Sequence, residues 1–154
     1  MTLNLRKPAA ALTLCAILFA GWSVSGAGQS EDETAMLDKI TEFTEAGPKG
    51  AQLRLADITD FEWDTVQGFP ASTSLDVYKA MFGESYRLSD ETTSQMTDDS
   101  VLLVFGYEGE VVEELVISPP VWVHGAKPDF LGPDATLTVI SDDPGPYTAL
   151  ELSE

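Results

Sequence analysis

Apolar residues recur at helical spacing early in the chain. In "SEDETAMLDKITEF", Met36, Leu37, Ile40 and Phe43 fall on one face of a helix. Ser30 stands at the N-cap with Glu33 three residues on, a capping box, and the early acids suit the positive end of the helix dipole. Gly47-Pro48 stops this helix. "AQLRLADI" and "DFEWDTVQGF" then read as strand material with period two: Phe61, Trp63 and Thr65 share one face, and Asp60, Glu62 and Asp64 share the other. Pro70 ends the run. One of Ser72, Thr73 and Ser74 caps a second helix with Asp76 in its first turn, Leu75, Tyr78 and Phe82 along one stripe, Val77 and Met81 beside it, and Gly83 at its end.

The polar, aperiodic segment 89–100, "SDETTSQMTDDS", is expected to be a mobile loop. Two apolar strands follow in "VLLVFGYEGEVVEELVIS", joined at Glu108-Gly109 as a hairpin, and Pro119-Pro120 ends the second. Residues 121–123 and 136–140 are further strands, and residues 141–154 are expected to be a loosely ordered acidic tail. This order predicts an α+β fold: a two-layer sandwich with two helices packed on one face of an antiparallel sheet of about four strands. Its core should join Phe61, Trp63, Val104, Leu115 and Ile117 to Ile40, Phe43 and Met81.

The N-terminus follows another logic. Arg6 and Lys7 precede an apolar run from Ala9 to Ala20, and small residues follow up to Gly28. That is the layout of a secretory signal peptide, with Ser25-Gly26-Ala27 offering the small residues read at cleavage. Residues 1–27 are therefore expected to be removed, leaving a single domain over 28–140 and the tail. The rival is a retained anchor over residues 9–28; a spanning helix wants ~20 strongly apolar residues, and the Gly- and Ser-rich end of this segment disfavours it. Lipidation at Cys15 would need a small residue before the cysteine, where Leu14 stands. The expected location is periplasmic or extracellular.

Cleavage would remove the only cysteine, so disulfides, a thiol nucleophile and thiolate metal ligands are excluded from the mature domain. It would also leave six cations against 26 carboxylates, a net charge of −20. Nucleic acid and anionic membrane surfaces are then poor partners, because both require clustered Lys and Arg. A basic protein partner, or solubility in salty surroundings, suits this charge.

Candidate chemistry is sparse. His124 is the only histidine; one His without Cys cannot build a zinc site, and there is no G-x-S-x-G nucleophile turn. Asp60, Glu62 and Asp64, then Asp98-Asp99 and Asp142-Asp143, lack the spacing of a calcium loop and read as solvated acidic surface. No Gly-rich loop fits a phosphate. Trp63-Asp64 has two readings: an exposed stacking residue beside a general base or ligand, or a core tryptophan beside an aspartate that bonds backbone N–H groups at the turn before the second helix. The second fits the shared face of Phe61 and Trp63.

"FEWDTVQGFP", "LVFGYEGEVV" and "KPDF" carry a resemblance. Trp63, Asp64, Val66, Phe69, Thr73, Leu103, Val104, Phe105, Gly109, Val111, Val112, Asp129 and Phe130 match a pattern that resembles a group of small bacterial exported proteins and lipoproteins of unassigned function. The likeness spans residues 50–130 and departs at Ala71-Ser72, where the group has Pro-Tyr. It implies no catalytic residues. The element order is also loosely similar to small outer-membrane-assembly lipoproteins and to the β-lactamase-inhibitor fold, a likeness of fold alone. The sequence thus favours an exported, non-enzymatic domain that binds or assembles through protein contacts, without catalytic, cofactor or metal residues. The alternative is a carboxylate-based hydrolase, with or without calcium.

Overall fold

The computed structural model describes residues 30–125, 129–142 and 147–154. The expected signal segment and the alternative anchor therefore lie outside the described residues; among the described residues no helix is long and apolar enough to cross a membrane. The fold is α+β.

Helix α1, Glu31–Ala46, starts where its capping box predicts: Ser30 Oγ accepts the Glu33 N–H at 3.0 Å. It ends at Gly47, where an added Cβ would stand 2.8 Å from the Phe43 carbonyl oxygen. Strand β1, Gln52–Arg54, is followed by a single 3-10 turn, Leu55–Asp57. Strand β2, Thr65–Pro70, leads into helix α2, Leu75–Phe82, with Ser74 at its N-cap and Gly83 at its C-cap. Helix α3, Asp90–Gln95, precedes the hairpin of β3, Val101–Tyr107, and β4, Glu110–Ile117. Strands β5, Trp122–His124, β6, Thr136–Val139, and β7, Ala149–Ser153, complete the chain.

The strands form two sheets. The first has the order β1-β6-β7-β5, antiparallel except for the parallel β5–β7 pair; the second is the antiparallel meander β2-β3-β4. The four-stranded sheet has one apolar face. Leu53, Leu137 and Leu152 are aligned on it, while Gln52, Thr138 and Glu151 are aligned on the other. That alternation is the signature of a sheet with one wet side.

The meander is apolar on both faces. Residues Val101 to Phe105 of β3 are all buried. Val101, Leu103 and Phe105 face a large core shared with α1 and the four-stranded sheet, through Met36, Ile40, Leu137 and Leu150. Leu102 and Val104 face a second core closed by Phe69 and Tyr78, with Met81, Phe82 and Tyr86 packed around it. The two expected helices thus lie on opposite faces of the meander, and the expected single core is two. Trp63, Leu115, Ile117 and Ile40 are buried in the first, with Phe43 and Phe61 partly buried against it. Val104 belongs to the second, with Met81 beside it.

Three local expectations are corrected. Segment 89–100 contains α3, because Ser89 Oγ accepts the Thr92 N–H at 2.9 Å and Thr92 is buried. Residues 141–154 are not a loose tail over their whole length: Ala149–Ser153 is an inner strand, held by the buried Leu150 and Leu152. Trp63 and Asp64 precede β2 rather than lying within it.

Candidate functional site

Trp63 is 8% exposed. Its ring meets Phe105 edge-on, with centroids 5.3 Å apart, and Phe61 meets the same ring at 5.4 Å. Its indole N–H donates to Thr59 Oγ1 at 2.9 Å. Asp64 turns away from it: Oδ2 accepts the Glu108 N–H at 2.9 Å, and the Asp64 N–H donates to the Gly106 carbonyl oxygen. Glu108 and Gly109 have φ of 52° and 85°, the two positive angles of a tight hairpin turn. Asp64 therefore clamps the β3–β4 turn, not the turn before α2. A hollow of about 340 Å³ lies beside Trp63, and Glu62 is the one carboxylate on its wall among the described residues. Glu62 and the other nearby carboxylates raise the pKa of the exposed Tyr107.

The other candidates disperse. Asp60 lies 3.9 Å from Lys39 Nζ, and Asp142 accepts from Lys49 Nζ at 2.6 Å. Asp98 and Asp99 are exposed, His124 is the exposed last residue of β5, and Asp143 lies outside the described residues. Among the described residues no group of three His, Cys, Asp or Glu side chains is placed to hold a metal ion.

Two carboxylates not singled out from the sequence have the most structured surroundings. Glu114 projects into the second core's margin. Its Oε1 accepts from Tyr86 Oη at 2.5 Å, and its Oε2 accepts from Thr92 Oγ1 at 2.5 Å and from the Ser89 N–H at 3.3 Å. This knot ties α3 to β4. Burial, the bond to Glu114 and its charge all push the Tyr86 phenol pKa upward. Tyr78, further inside, makes no hydrogen bond of ordinary geometry; burial raises its phenol too, and the nearby Thr73 hydroxyl offsets this in part.

Glu113 points to the opposite face, across from Phe105 in register and toward the first turn of α1. Burial pushes its carboxyl up to about 7; the Glu114 N–H, donated to Oε1 at 3.3 Å, pulls it down, while Glu33, Asp32 and Glu114 push it up. The signal for both residues was in the sequence: two adjacent carboxylates inside an apolar strand, one for each buried face.

A groove of about 440 Å³ lies at the end of β4. Its walls are α1, through Leu37, Ile40 and Thr41, and α3, through Gln95. Val116 and Ile117 of β4 line it too, with Pro119-Pro120, joined by a cis peptide bond, and the buried Thr44 and Thr148. Val116 and Ile117 belong to opposite faces of the meander, and no β3 residue lines the groove. It therefore lies off the outer edge of β4, between helices that cover the two faces. Glu45 is the only carboxylate on its lining among the described residues. Neither Glu113 nor Glu33 lines it or the hollow beside Trp63, so this acid pair has no substrate space in either.

No protein-family model matches the chain, and neither the curated proteins nor the solved structures contain a match.

Proposed function

We propose that this chain is an exported, non-enzymatic domain that binds or assembles through protein contacts, periplasmic or extracellular after loss of its first 27 residues. The observation that carries the reading is the groove beside β4. Its lining joins the apolar Leu37, Ile40, Val116 and Ile117 to a few polar side chains, with Glu45 the single carboxylate among the described residues, a composition suited to seating a side chain of a partner. A hydrolase would need two acids converging on one concavity. Glu113 and Glu114 diverge to opposite faces, and Glu114 is occupied by three donors.

The test is capture of partners from the exported fraction of the producing cell, with the immobilised mature domain and with Thr41→Trp, which fills the groove. A defined protein retained by the natural domain and lost with the variant supports the reading. Equal retention by both, or turnover of a glycoside substrate abolished by Glu113→Gln, overturns it. N-terminal sequencing of the native protein should begin at Gly28; an intact Met1 on membrane-bound material would refute cleavage.

A further inference from the structure

The free edge of β4 has a definite hydrogen-bonding polarity. Val66 exchanges both backbone bonds with Leu131, at 2.9 and 3.0 Å, on the side of β2 away from β3. Val66 is paired with Phe105, so Phe105 must direct its own N–H and C=O away from β2 and toward β4. Its partner there is Glu113, and by the alternation of an antiparallel ladder Leu115 and Ile117 also bond β3. Glu114 and Val116 therefore turn their backbone groups outward. The Glu114 N–H going to the Glu113 carboxylate rather than to β3 agrees with this. Among the described residues no further strand pairs with this edge.

The edge is also acidic. Glu110 and Glu113 lie along β4 and Glu45 sits on the groove, while the Glu114 carboxylate is held by Tyr86, Thr92 and Ser89. None of the described cations lines the groove: Lys39 pairs with Asp60, Lys49 with Asp142 and Arg54 with Asp134, Arg87 bonds the backbone of Glu84 and Tyr86, and Lys79 lies in α2.

We propose that the groove takes an extended segment of a partner protein, rich in Lys or Arg, that adds as a strand to the outer edge of β4 and seats one apolar side chain between α1 and α3. This rests on the reading that the domain works through protein contacts, and it names the partner's chemistry. Strand addition supplies affinity through main-chain bonds and specificity through pockets for alternate side chains. Here the outward groups of Glu114 and Val116 repeat every ~6.8 Å, the spacing of alternate residues in a strand. The incoming chain displaces the 3.3 Å bond between the Glu114 N–H and Glu113. The released carboxylate can then receive a cationic side chain, relieving its repulsion with Glu33 and Asp32.

The probe is a phage-displayed library of random decapeptides, selected on the mature domain. Selected peptides should alternate apolar with other residues, carry Lys or Arg, lack internal Pro and bind less tightly as salt rises. Thr41→Trp should weaken them at least tenfold, and N-methylation of alternate backbone amides on one edge should abolish binding while the other alternate set has little effect. Circular dichroism of Thr41→Trp checks that it is folded; Glu45→Lys, an exposed change, should weaken the same peptides independently. Acidic or Pro-rich binders, no enrichment over an unrelated domain, or equal tolerance of both N-methylated sets would overturn strand addition. If Thr41→Trp loses the captured cellular protein while both N-methylated sets bind, protein contact through the groove stands and strand addition fails. If it loses neither, both fail.

Discussion

Replacing Trp63 by alanine should destabilise the domain by ~3–5 kcal/mol, the range for truncating a buried aromatic. The structure supplies three reasons. The side chain is 8% exposed, so its apolar surface is withdrawn from water. Its ring packs edge-on against Phe105 at 5.3 Å, a contact that also positions Phe61. Its N–H holds Thr59 Oγ1, which would lose its donor. Trp63→Phe separates these contributions. It keeps most of the ring and forfeits the hydrogen bond, worth ~0.5–1.5 kcal/mol, together with some packing. The assay is urea unfolding followed by far-ultraviolet circular dichroism. With a slope of ~1–3 kcal/mol/M, the alanine variant's midpoint should fall by more than ~1 M at unchanged slope. A loss below ~1 kcal/mol would refute the argument and return Trp63 to the surface as a binding residue.

Other consequences follow from the carboxylates. Glu113, held near 7 when folded against an ordinary 4.5, keeps its proton in the native state over a window where the unfolded chain has lost it. Its contribution to stability is therefore greatest below that window and falls as pH rises from about 4.5 to 7. Discounted for partial exposure, that fall amounts to ~1–2 kcal/mol. Glu113→Gln should gain that much on the natural protein between pH 5 and 8 in denaturant titrations; parallel curves would contradict it. Tyr86→Phe removes the donor to Glu114 Oε1 and should cost ~1.5–3 kcal/mol, toward the low end because Thr92 and Ser89 remain; an unchanged melting temperature would show the knot to be without weight. Monovalent salt should raise the melting temperature, since the Debye length shrinks from about 30 Å at 0.01 M to 3 Å at 1 M. Calorimetry at 0.15 M salt should find no micromolar calcium site, because Asp60, Asp64 and Asp142 each engage a separate partner.

What was legible in the sequence was what local chemistry dictates. Ser30 and Glu33 mark the start of α1, Gly83 the end of α2, and Glu108-Gly109 the hairpin. Trp63 reads correctly as core because it shares Phe105 with Phe61, although Asp64 serves a turn 44 residues on, beyond any local pattern. The layering was less legible. An apolar run such as Val101 to Phe105 signals burial on two faces, yet it does not say which helix covers which. "ALELS" alternates as an inner strand should, but its short length after a Gly- and Pro-rich stretch looks like a frayed end until β5 and β6 flank it. The groove could not be foreseen at all. It exists because β4 ends the order β2-β3-β4 while α1 and α3, separated by 43 residues, cover opposite faces of that edge.

The most direct test of the central claim places a photo-crosslinking amino acid at Thr41, on the groove wall, and in a second protein at Lys79 of α2, away from it. Both are produced with the natural N-terminus and irradiated in the producing cell. Protein contact through the groove predicts a discrete protein adduct from position 41, mapping to a basic, extended segment of the partner, and none of the same mass from position 79. Adducts of equal yield from both positions, or none from position 41, would contradict it.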